Sequence, residues 1–479
     1  MKKVDFASVP VSKWIKAVLG IGALLFCVVW SGSWWPLIFV PVIFDMYITK
    51  FVPWCFWLPR DGSKPKWYIE WLDAILYAFF WVYLINLFLL QMYQIPTGSL
   101  EKSLLIGDHL FVSKVSYGPR MPNAPIYVPM TQNTLPVLNC KSYVEWPLWG
   151  YKRLSGLGRV ERNDIVVFNF PAGDTVCVNM SNPDYYSIML SEGARQISEN
   201  RTLAEGLSVE TSWERNHYLS QLGRQRVWAA EEQLGGIVWR PVDKRDCYVK
   251  RCIGLPGDTI EIRHNAVYVD GELWPDAPEA QHMYKIQTNG VILNDHFFSQ
   301  LGISNDDRDR GGCGPTYYLP LSHAKAQMVK EMPAIASITI DEEKVDSTGL
   351  SVFPFSTDYP WSRDNYGPIW IPQKGVTVKL DKANIMLYER VITAYEGHTL
   401  DYRGGKIYVD GQETDEYTFE MDYYWMMGDN RHCSADSRYW GFVPEDHVVG
   451  KPLFVWLSLD KDKPWYSSVR WDRMFMKVE

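Results

Sequence analysis

Two uncharged apolar stretches, residues 17–44 and 74–100, constrain the fold of this 479-residue chain more than any other feature. Each is longer than the roughly 20 helical residues that cross the hydrocarbon core of a bilayer. Inside that core the backbone must satisfy its own hydrogen bonds, which favours helices. We therefore predict that residues 1–93 form a membrane anchor.

The first apolar stretch is too long for a single span. As one helix it would measure roughly 42 Å, against a hydrocarbon core of roughly 30 Å, and Ser31-Gly32-Ser33 interrupts it. It forms either a hairpin of two short spans, about 14–31 and 34–49, or one span and an interfacial segment. Positive flanks favour the hairpin, because such flanks stay cytoplasmic: Lys2, Lys3, Lys13 and Lys16 precede the stretch, and Lys50, Arg60, Lys64 and Lys66 follow it.

This topology predicts a cytoplasmic loop over residues 50–70 and an outward span over 71–93. Everything after Tyr93 is then extracytoplasmic. The net charge of −8 argues against nucleic acid as a partner. In an oxidising compartment disulfides could form among the cysteines of this part, which are Cys140, Cys177, Cys247, Cys252, Cys313 and Cys433.

The extracytoplasmic part has the pattern of a mainly β domain. Residues 162–170 and 247–254 are β-branched, apolar runs that end in Pro- and Gly-containing turns. Residues 259–271 align without gaps on residues 399–411, and each copy predicts a β-hairpin, with turns at His264-Asn265 and Gly404-Gly405.

Two further segments differ in composition from these strands. Residues 183–240 are rich in Ala, Glu, Gln, Arg and Leu, which predicts a helical insertion. Residues 275–395, between the two repeat copies, predict an inserted module of mixed α/β character. The remaining pieces of the domain are then 94–182, 241–274 and 396–479.

Three polar features stand out against this framework. Ser99 follows Pro96-Thr97-Gly98 at the end of the second apolar stretch, a context of either a juxtamembrane linker or a nucleophile on a turn. On the strand 247–254, alternation places Lys250 and Arg251 on opposite faces, so that one of them points inward. Residues 428–444 combine Gly, Asp, Asn, Ser and Arg with aromatic flanks, which predicts a partly buried polar network.

With these motifs in place, the chain resembles bacterial signal peptidase I, the leader peptidase type of membrane-bound serine protease. The resemblance rests on Ile95-Pro96-Thr97-Gly98-Ser99, Asp164–Phe168, Tyr248–Arg251 with Gly254–Asp258, and Gly428–Arg431 with Ser434, Asp436–Arg438 and Gly441–Pro444. It implies N-terminal transmembrane helices, a mainly β extracytoplasmic catalytic domain of the complex β fold of signal peptidases, and no cofactor or metal.

The resemblance also implies a role for each matched residue. Ser99 would attack the scissile carbonyl, and Lys250 would be the general base; a buried lysine can be neutral enough for this. The Ser99 N–H and the Thr97 hydroxyl would form the oxyanion hole. The supporting residues would be Ser434, which orients the lysine amine, Asp436 and Arg438, which pair, and Asp429. The residues implied to line the substrate pocket are Ile95, Pro96, Leu104, Tyr248 and Val249.

The chain departs from the family pattern at several positions. The family usually has Met and Pro where this chain has Leu100 and Lys102, Gly where it has Asn163, and Asp where it has His432. A triad of Ser99, His432 and Asp429 is an alternative to the dyad. Metal ligation by His264, His282 or His296 lacks the usual spacing.

The resemblance implies an endopeptidase that removes N-terminal signal peptides from exported preproteins. Its partners would be those preproteins, the lipid bilayer and, transiently, the secretion machinery, with no nucleic acid. It would lie in the bacterial cytoplasmic (inner) membrane as a multi-pass protein, with its catalytic domain on the periplasmic side. The alternative function is an inactive family member that serves as an envelope scaffold or binding protein.

Overall fold

The structure is a computed structural model of the chain. It describes residues 6, 9–52, 54, 57, 64–129, 131–135, 138, 140–180, 182–200, 211–312 and 314–478. Several predictions fall on residues outside the described ranges, which are Lys2, Lys3, Arg60, Cys313, parts of the predicted loop 50–70, and residues 201–210 of the predicted helical insertion.

The α-helices are α1 (Val11–Ser31), α2 (Val40–Phe44), α3 (Trp67–Phe88), α4 (Tyr185–Glu199), α5 (Ser212–Ala229), α6 (Asp295–Leu301), α7 (Asn305–Arg310), α8 (His323–Lys330), α9 (Ile385–Arg390) and α10 (Ser437–Trp440). The strands are β1 (Leu90–Gln94), β2 (Asp108–Ser113), β3 (Ile165–Asn169), β4 (Thr175–Cys177), β5 (Ile237–Trp239), β6 (Cys247–Gly254), β7 (Thr259–Arg263), β8 (Ala266–Val269), β9 (Glu272–Trp274), β10 (Gln281–Thr288), β11 (Thr316–Ser322), β12 (Ile335–Ile340), β13 (Tyr366–Trp370), β14 (Thr377–Lys379), β15 (Leu400–Arg403), β16 (Lys406–Val409), β17 (Gln412–Glu413), β18 (Glu416–Thr418), β19 (Tyr423–Met427), β20 (Val443–Pro444) and β21 (Val448–Ser458).

Two helices, α1 and α3, are long and apolar enough to cross a bilayer, and a shorter apolar helical segment, Pro36–Thr49, lies between them. The chain reverses at Gly32, which has a positive φ of 58° and caps α1. The segment then returns along α1, so that the rings of Trp14 and Phe44 lie 6.2 Å apart. The helical path is therefore a hairpin, as in the first of the two predicted arrangements.

Helices α1 and α3 end on the same side of the molecule. The Trp30 and Phe88 rings lie 6.2 Å apart, and Trp30 Nε1 donates a hydrogen bond to Ser155 O in the β domain. Both helices therefore run from the far side towards the β domain.

The predicted span 71–93 is wrong at its C-terminal end. Helix α3 ends at Phe88, and after Leu89 the chain becomes β1, which pairs antiparallel with β2 from Leu90↔Ser113 to Gln94↔His109. An uncharged sequence does not show where a helix gives way to a strand, because here the partner strand β2 decides the backbone conformation.

A seven-stranded sheet, in the order β1-β2-β21-β3-β6-β19-β20, forms the centre of the domain. All five residues of β3 are buried, which confirms the predicted buried strand within 162–170. Core clusters cover both faces of β3: Val166 and Phe168 lie in one, and Ile165 and Val167 lie in the other. The strand predicted at 247–254 is β6, in the interior of the sheet between β3 and β19.

The internal repeat forms the two predicted hairpins, β7–β8 and β15–β16. Their turn residues have positive φ in both copies, 48° and 69° at His264-Asn265 and 56° and 80° at Gly404-Gly405. This is the conformation of a two-residue type I′ turn.

The predicted module 275–395 is too wide. A separate core, built from residues between Tyr284 and Val329, supports the three-stranded sheet β11-β10-β12. Strand β13 instead pairs with β7, and residues 352–392 contribute to the main core of the domain. Edge pairing with β7, which composition does not reveal, brings this later part into the main domain.

The predicted helical insertion consists of α4 and α5, and β5 near its end pairs with β4. Asp184 caps α4, and Thr211 and Glu214 form a capping box at α5. The two helices approach closely because Gly193 and Gly223 face the other helix. A Cβ atom at Gly223 would lie 1.8 Å from Met189 O.

Replacing Gly223 with alanine should therefore destabilise the protein. Alanine normally favours a helix interior over glycine by about 1 kcal/mol, but here the added methyl group must separate two packed helices, which typically costs about 1–3 kcal/mol. Thermal unfolding of Gly223→Ala should show a lower Tm than wild type. The control is Gly22→Ala, since a Cβ atom at that helical glycine meets no atom within 4 Å. An equal or raised Tm in Gly223→Ala would contradict the close packing.

Candidate active site

Ser99 lies on a single 3₁₀ turn, Gly98–Leu100, which Ile95, Pro96 and Thr97 join to the end of β1. Leu100 and Ile95 are buried in the core cluster that also contains Leu104, and they hold the turn on both sides. Thr97, between them, is exposed, whereas Ser99 is buried, with 9% of its surface accessible. The turn thus anchors its apolar residues and directs Ser99 into the domain.

Lys250 lies on β6, paired with Val166 of β3, and only 4% of its surface is exposed. Its Nζ atom lies 2.5 Å from Ser99 Oγ. The tertiary fold thus joins two residues that are 151 positions apart in the chain. A hydrogen bond of this length permits direct proton transfer between the two groups.

Burial lowers the pKa of Lys250 to about 8, and the charges of Asp436 and Asp429 partly oppose this effect. An ordinary lysine has a pKa near 10.4. The fraction of neutral amine at neutral pH is accordingly about two orders of magnitude higher than for an exposed lysine, and this neutral form is the one that can accept a proton.

Arg251 is also buried, with 6% of its surface exposed. Lys250 points inward, as predicted for one of the two adjacent cations, and Arg251, whose burial was not predicted, is buried as well. Arg251 Nε and Nη2 donate to the two carboxylate oxygens of Asp429 at 2.8 and 2.7 Å, and Ser103 Oγ donates to Asp429 at 2.6 Å. A bidentate carboxylate partner compensates the cost of burying the second cation.

The loop that follows β19 holds the Ser99 turn through the backbone. Asn430 N donates to Ser99 O at 3.1 Å, and Asn430 Nδ2 donates to Gly98 O at 3.2 Å. Asn430, Arg251 and Ser103 were not predicted as site residues. Arg251 and Asn430 lie within the motifs that carry the resemblance, which was a signal for them, whereas Ser103, four residues after Ser99, had none.

Asp436 and Arg438 pair in complete burial. Arg438 Nε and Nη2 donate to the carboxylate at 2.9 and 2.8 Å, and Gly428 N donates to Asp436 Oδ2 at 3.1 Å. Burial alone would raise the pKa of Asp436, but the charge and hydrogen bonds of Arg438 outweigh it and lower that pKa. The ion pair therefore fixes the backbone at Gly428, beside Ser99.

The hydrogen bond expected between Ser434 and Lys250 is not formed. Ser434 Oγ instead donates to Ala435 O at 3.4 Å. The hydroxyl still lies at the site, because a Cβ atom at Gly428 would be 2.2 Å from Ser434 Oγ and 2.6 Å from Ser99 O. Ser434 therefore packs against the segment that holds the serine turn.

The residues expected to line a pocket divide into two groups. Ile95 and Leu104 belong to the core, with 4% and 0% exposure. Neither therefore lines an open pocket, contrary to the prediction, because the apolar packing around Leu100 covers both side chains. Pro96 is exposed and Val249 is half-buried. Tyr248 stacks on Phe170 at 4.6 Å and lines a cavity of about 330 Å³ together with Ser434 and Trp440.

Two departures from the family pattern have a backbone explanation. Lys102 has a φ of 75°, which the ring of a proline would forbid. Asn163 has a φ of 74°, and asparagine, like glycine, tolerates this left-handed conformation. This chain therefore has a different turn after Ser99 and a conventional one before β3.

The geometry does not assemble the alternative triad. His432 Nδ1 accepts a hydrogen bond from Met283 N at 3.0 Å, and Nε2 faces Asp364 Oδ1 at 3.1 Å. Asp429 is engaged by Arg251.

Across the described ranges, no three His, Cys, Asp or Glu side chains converge as a metal site would require. Cys27, Cys140, Cys177, Cys247 and Cys252 are free thiols.

Gly428→Ala should impair both the stability of the fold and the cleavage of a preprotein, the activity that the resemblance implies. The added methyl group would have to displace Ser434 or the Ser99 carbonyl, and a displacement of about 1 Å can lower a rate by roughly 100-fold. We expect a loss of this size in kcat/KM, measured below the lowered Tm where the variant is still folded. Gly150→Ala is the control, since a Cβ atom there meets no atom within 4 Å. Unchanged kcat/KM in Gly428→Ala would show that the close approach is unimportant.

Comparison with known proteins provides independent information. The sequence model of the family described as "Signal peptidase, peptidase S26" matches residues 68–307 and 416–457. A signal peptidase I of Buchnera aphidicola subsp. Schizaphis graminum is 22% identical over 414 residues, which cover 86% of this chain and 82% of that protein.

Two other relatives match over shorter regions. A signal peptidase I of Helicobacter pylori (strain 26695) is 29% identical over 189 residues, covering 34% of this chain and 63% of that protein. A signal peptidase I of Haemophilus influenzae is 41% identical over 71 residues, covering 15% of this chain and 20% of that protein. The matched regions of the family model include Ser99, Lys250 and Asp436, and they make up more than half of the chain. The chain belongs to the signal peptidase family of peptidases, S26.

Proposed function

We propose that this protein is a membrane-bound serine endopeptidase that removes N-terminal signal peptides from exported preproteins, with Ser99 as nucleophile and Lys250 as general base. The observation that carries the proposal is the 2.5 Å contact between Lys250 Nζ and Ser99 Oγ inside a buried site. Serine is a weak nucleophile until a neighbouring base accepts its proton, and Lys250 is the base within reach of it.

The reaction begins when neutral Lys250 accepts the Ser99 hydroxyl proton while Oγ attacks the scissile carbonyl carbon. The tetrahedral intermediate collapses to an ester, and the Lys250 ammonium returns the proton to the departing amine of the mature protein. Water then attacks the ester, with Lys250 accepting its proton. Ser99 recovers a proton as the signal peptide leaves with a free carboxylate.

The oxyanion of both intermediates would be stabilised by the Ser99 N–H and the Thr97 hydroxyl. Thr97 is exposed next to Ser99, and within the described ranges its hydroxyl makes no hydrogen bond. It is therefore free to donate to a substrate oxygen. Donors of this kind each contribute roughly 3–4 kcal/mol to lowering the barrier.

Asp429, Asp436, Arg438 and Ser434 would act as positioning residues. The two carboxylates lie near Lys250 but are neutralised by Arg251 and Arg438, respectively. They therefore fix the backbone around the dyad without returning the lysine to a fully charged state. Tyr248 and the adjacent 330 Å³ cavity would receive part of the substrate.

The membrane location is supported by apolar surface on two parts of the chain. Helices α1 and α3 have the length and hydropathy of spans. Near the C-terminus, Trp465, Tyr466 and Trp471 have exposures of 87%, 74% and 75%. Such aromatic side chains favour the boundary between lipid and water. We propose a multi-pass protein of the inner membrane, with the β domain on the periplasmic side and lipid as a partner.

Replacing either member of the dyad should abolish cleavage. We expect the rates of Ser99→Ala and Lys250→Met to fall by about 10³-fold or more, because each removes a group that forms or breaks bonds in the transition state. The measurement is cleavage of a purified preprotein by the detergent-solubilised full chain. Lys379→Met is the control, since Lys379 lies on the exposed edge strand β14. Wild-type rates in either dyad variant, with the fold intact, would refute the proposed mechanism.

The pH dependence of cleavage should follow the neutral form of Lys250. Because the pKa of Lys250 is lowered to about 8, its amine becomes protonated and unreactive as the pH falls below 8. Above that pH nearly all of the amine is neutral. The logarithm of kcat/KM should therefore rise with a slope of about one between pH 6 and 8 and then level off. A rate that stays flat down to pH 5 would exclude a lysine base.

A further inference from the structure

A small cavity lies where α3 meets the β domain. Leu87 of α3, Gln91 and Tyr93 of β1, and Lys114, Arg120 and Lys244 line it, and its volume is about 60 Å³. The end of α3 is fixed to the same region, because Tyr83 OH donates to Pro125 O and the Tyr83 ring lies 5.3 Å from the Tyr127 ring. The cavity therefore lies within a turn or two of the helix end.

The lining of this cavity has a positive charge excess. Lys114, Arg120 and Lys244 face it together with one carboxylate, Asp243. Lys244 Nζ lies 3.9 Å from Asp243 Oδ2, beyond hydrogen-bond distance, and 3.4 Å from the centre of the Tyr127 ring. The lining therefore has three cations and one carboxylate, although Asp446, outside the lining, also acts on Arg120.

The two lysines have donors to spare. Arg120 donates to Asp446 O and to Asn169 Oδ1. The Lys114 and Lys244 backbone N–H groups donate to Leu89 O and Pro241 O, but neither ammonium group donates a hydrogen bond to any residue that the structure describes. Only 4% of the Lys244 surface is exposed, so that water cannot accept all the hydrogen bonds that its ammonium group could donate. Burial lowers the pKa of Lys114 to about 7 and that of Lys244 to about 8.

We propose that this cavity binds a phosphate group, presented by the headgroup of an anionic phospholipid or by a free phosphate ester. A cavity needs a volume of roughly 10–15 Å³ to hold one buried water. The volume of about 60 Å³ therefore suits a group of four or five non-hydrogen atoms. Phosphate oxygens would accept hydrogen bonds from both ammonium groups and restore their charge. The headgroup source follows from the position of the cavity at the end of a helix proposed to span the membrane.

Lipid binding to the full-length protein tests this site. The wild-type chain, released from detergent micelles containing phosphatidylglycerol or phosphatidylcholine, is analysed by native mass spectrometry for retained lipid. We expect retention of phosphatidylglycerol, and about tenfold weaker retention for each of Lys114→Gln and Lys244→Gln, as the loss of one charged hydrogen bond implies. Lys114→Arg, which keeps the charge, should retain the lipid.

Lys152→Gln is the matched control. Lys152 lies outside the cavity but, like the cavity lysines, close to the end of an apolar helix, because its Nζ atom donates to Ser33 Oγ just after α1. It should retain lipid as wild type does. Excess glycerol 3-phosphate distinguishes the sources: displacement of lipid supports a site for any phosphate ester, and no displacement supports a headgroup site. Equal retention by wild type and both cavity variants, or equal loss in Lys152→Gln, would overturn the proposal whatever the protease activity.

Discussion

The burial of Lys250 is the constraint on which the rest of the site depends. A lysine in the interior of a sheet costs free energy as a cation, and burial lowers its pKa to about 8. Two carboxylates nearby would cancel that effect if they were left unpaired. Arg251 binds Asp429 and Arg438 binds Asp436, each through two hydrogen bonds, so that the negative charges act mainly on the arginines.

The same two ion pairs also position the turn that carries Ser99, the proposed nucleophile. Asp436 accepts a hydrogen bond from Gly428 N, and the neighbouring Asn430 binds the carbonyls of Gly98 and Ser99. The inserted sheet adds a further support, because Gln281 N donates to Asp429 O and Arg431 N donates to Gln281 O. The loop between β19 and α10 is therefore held from the central sheet, from the serine turn and from the insertion.

The sequence predicted the elements whose evidence is local. Strand β3 follows from its run of β-branched and aromatic residues, and the hairpin turns follow from His264-Asn265 and Gly404-Gly405, where a positive φ is required. The end of α3 was not predictable, because β2 is what converts Leu90–Gln94 into a strand. The predicted bounds of the inserted module were too wide for the same reason, because β13 pairs with β7, which lies more than 90 residues earlier in the chain.

For the candidate site, residue types were more informative than contacts. Ser99 and Lys250 were identified from motifs, and the structure places them in hydrogen-bond contact. The burial of Arg251 was missed because alternation treats a strand as having one buried face, whereas β6 is covered on both. The expected contact of Ser434 and the expected exposure of Leu104 depend on side-chain packing that no motif encodes.

The direct passage from α3 into β1 has a consequence for how a cleavage site is selected. Only Leu89 separates the helix from the strand, and β1 is held along its length by β2. Backbone hydrogen bonds of Ile95 to Gly107 and Asp108 continue this pairing, so that only Pro96 and Thr97 lie between the held segment and the serine turn. The height of Ser99 above the end of α3 is thus set by strand geometry, at roughly 3.3 Å per residue. With the helices in a bilayer, as proposed, this fixed height would select a scissile bond at one depth relative to the bilayer over peptide bonds at other depths.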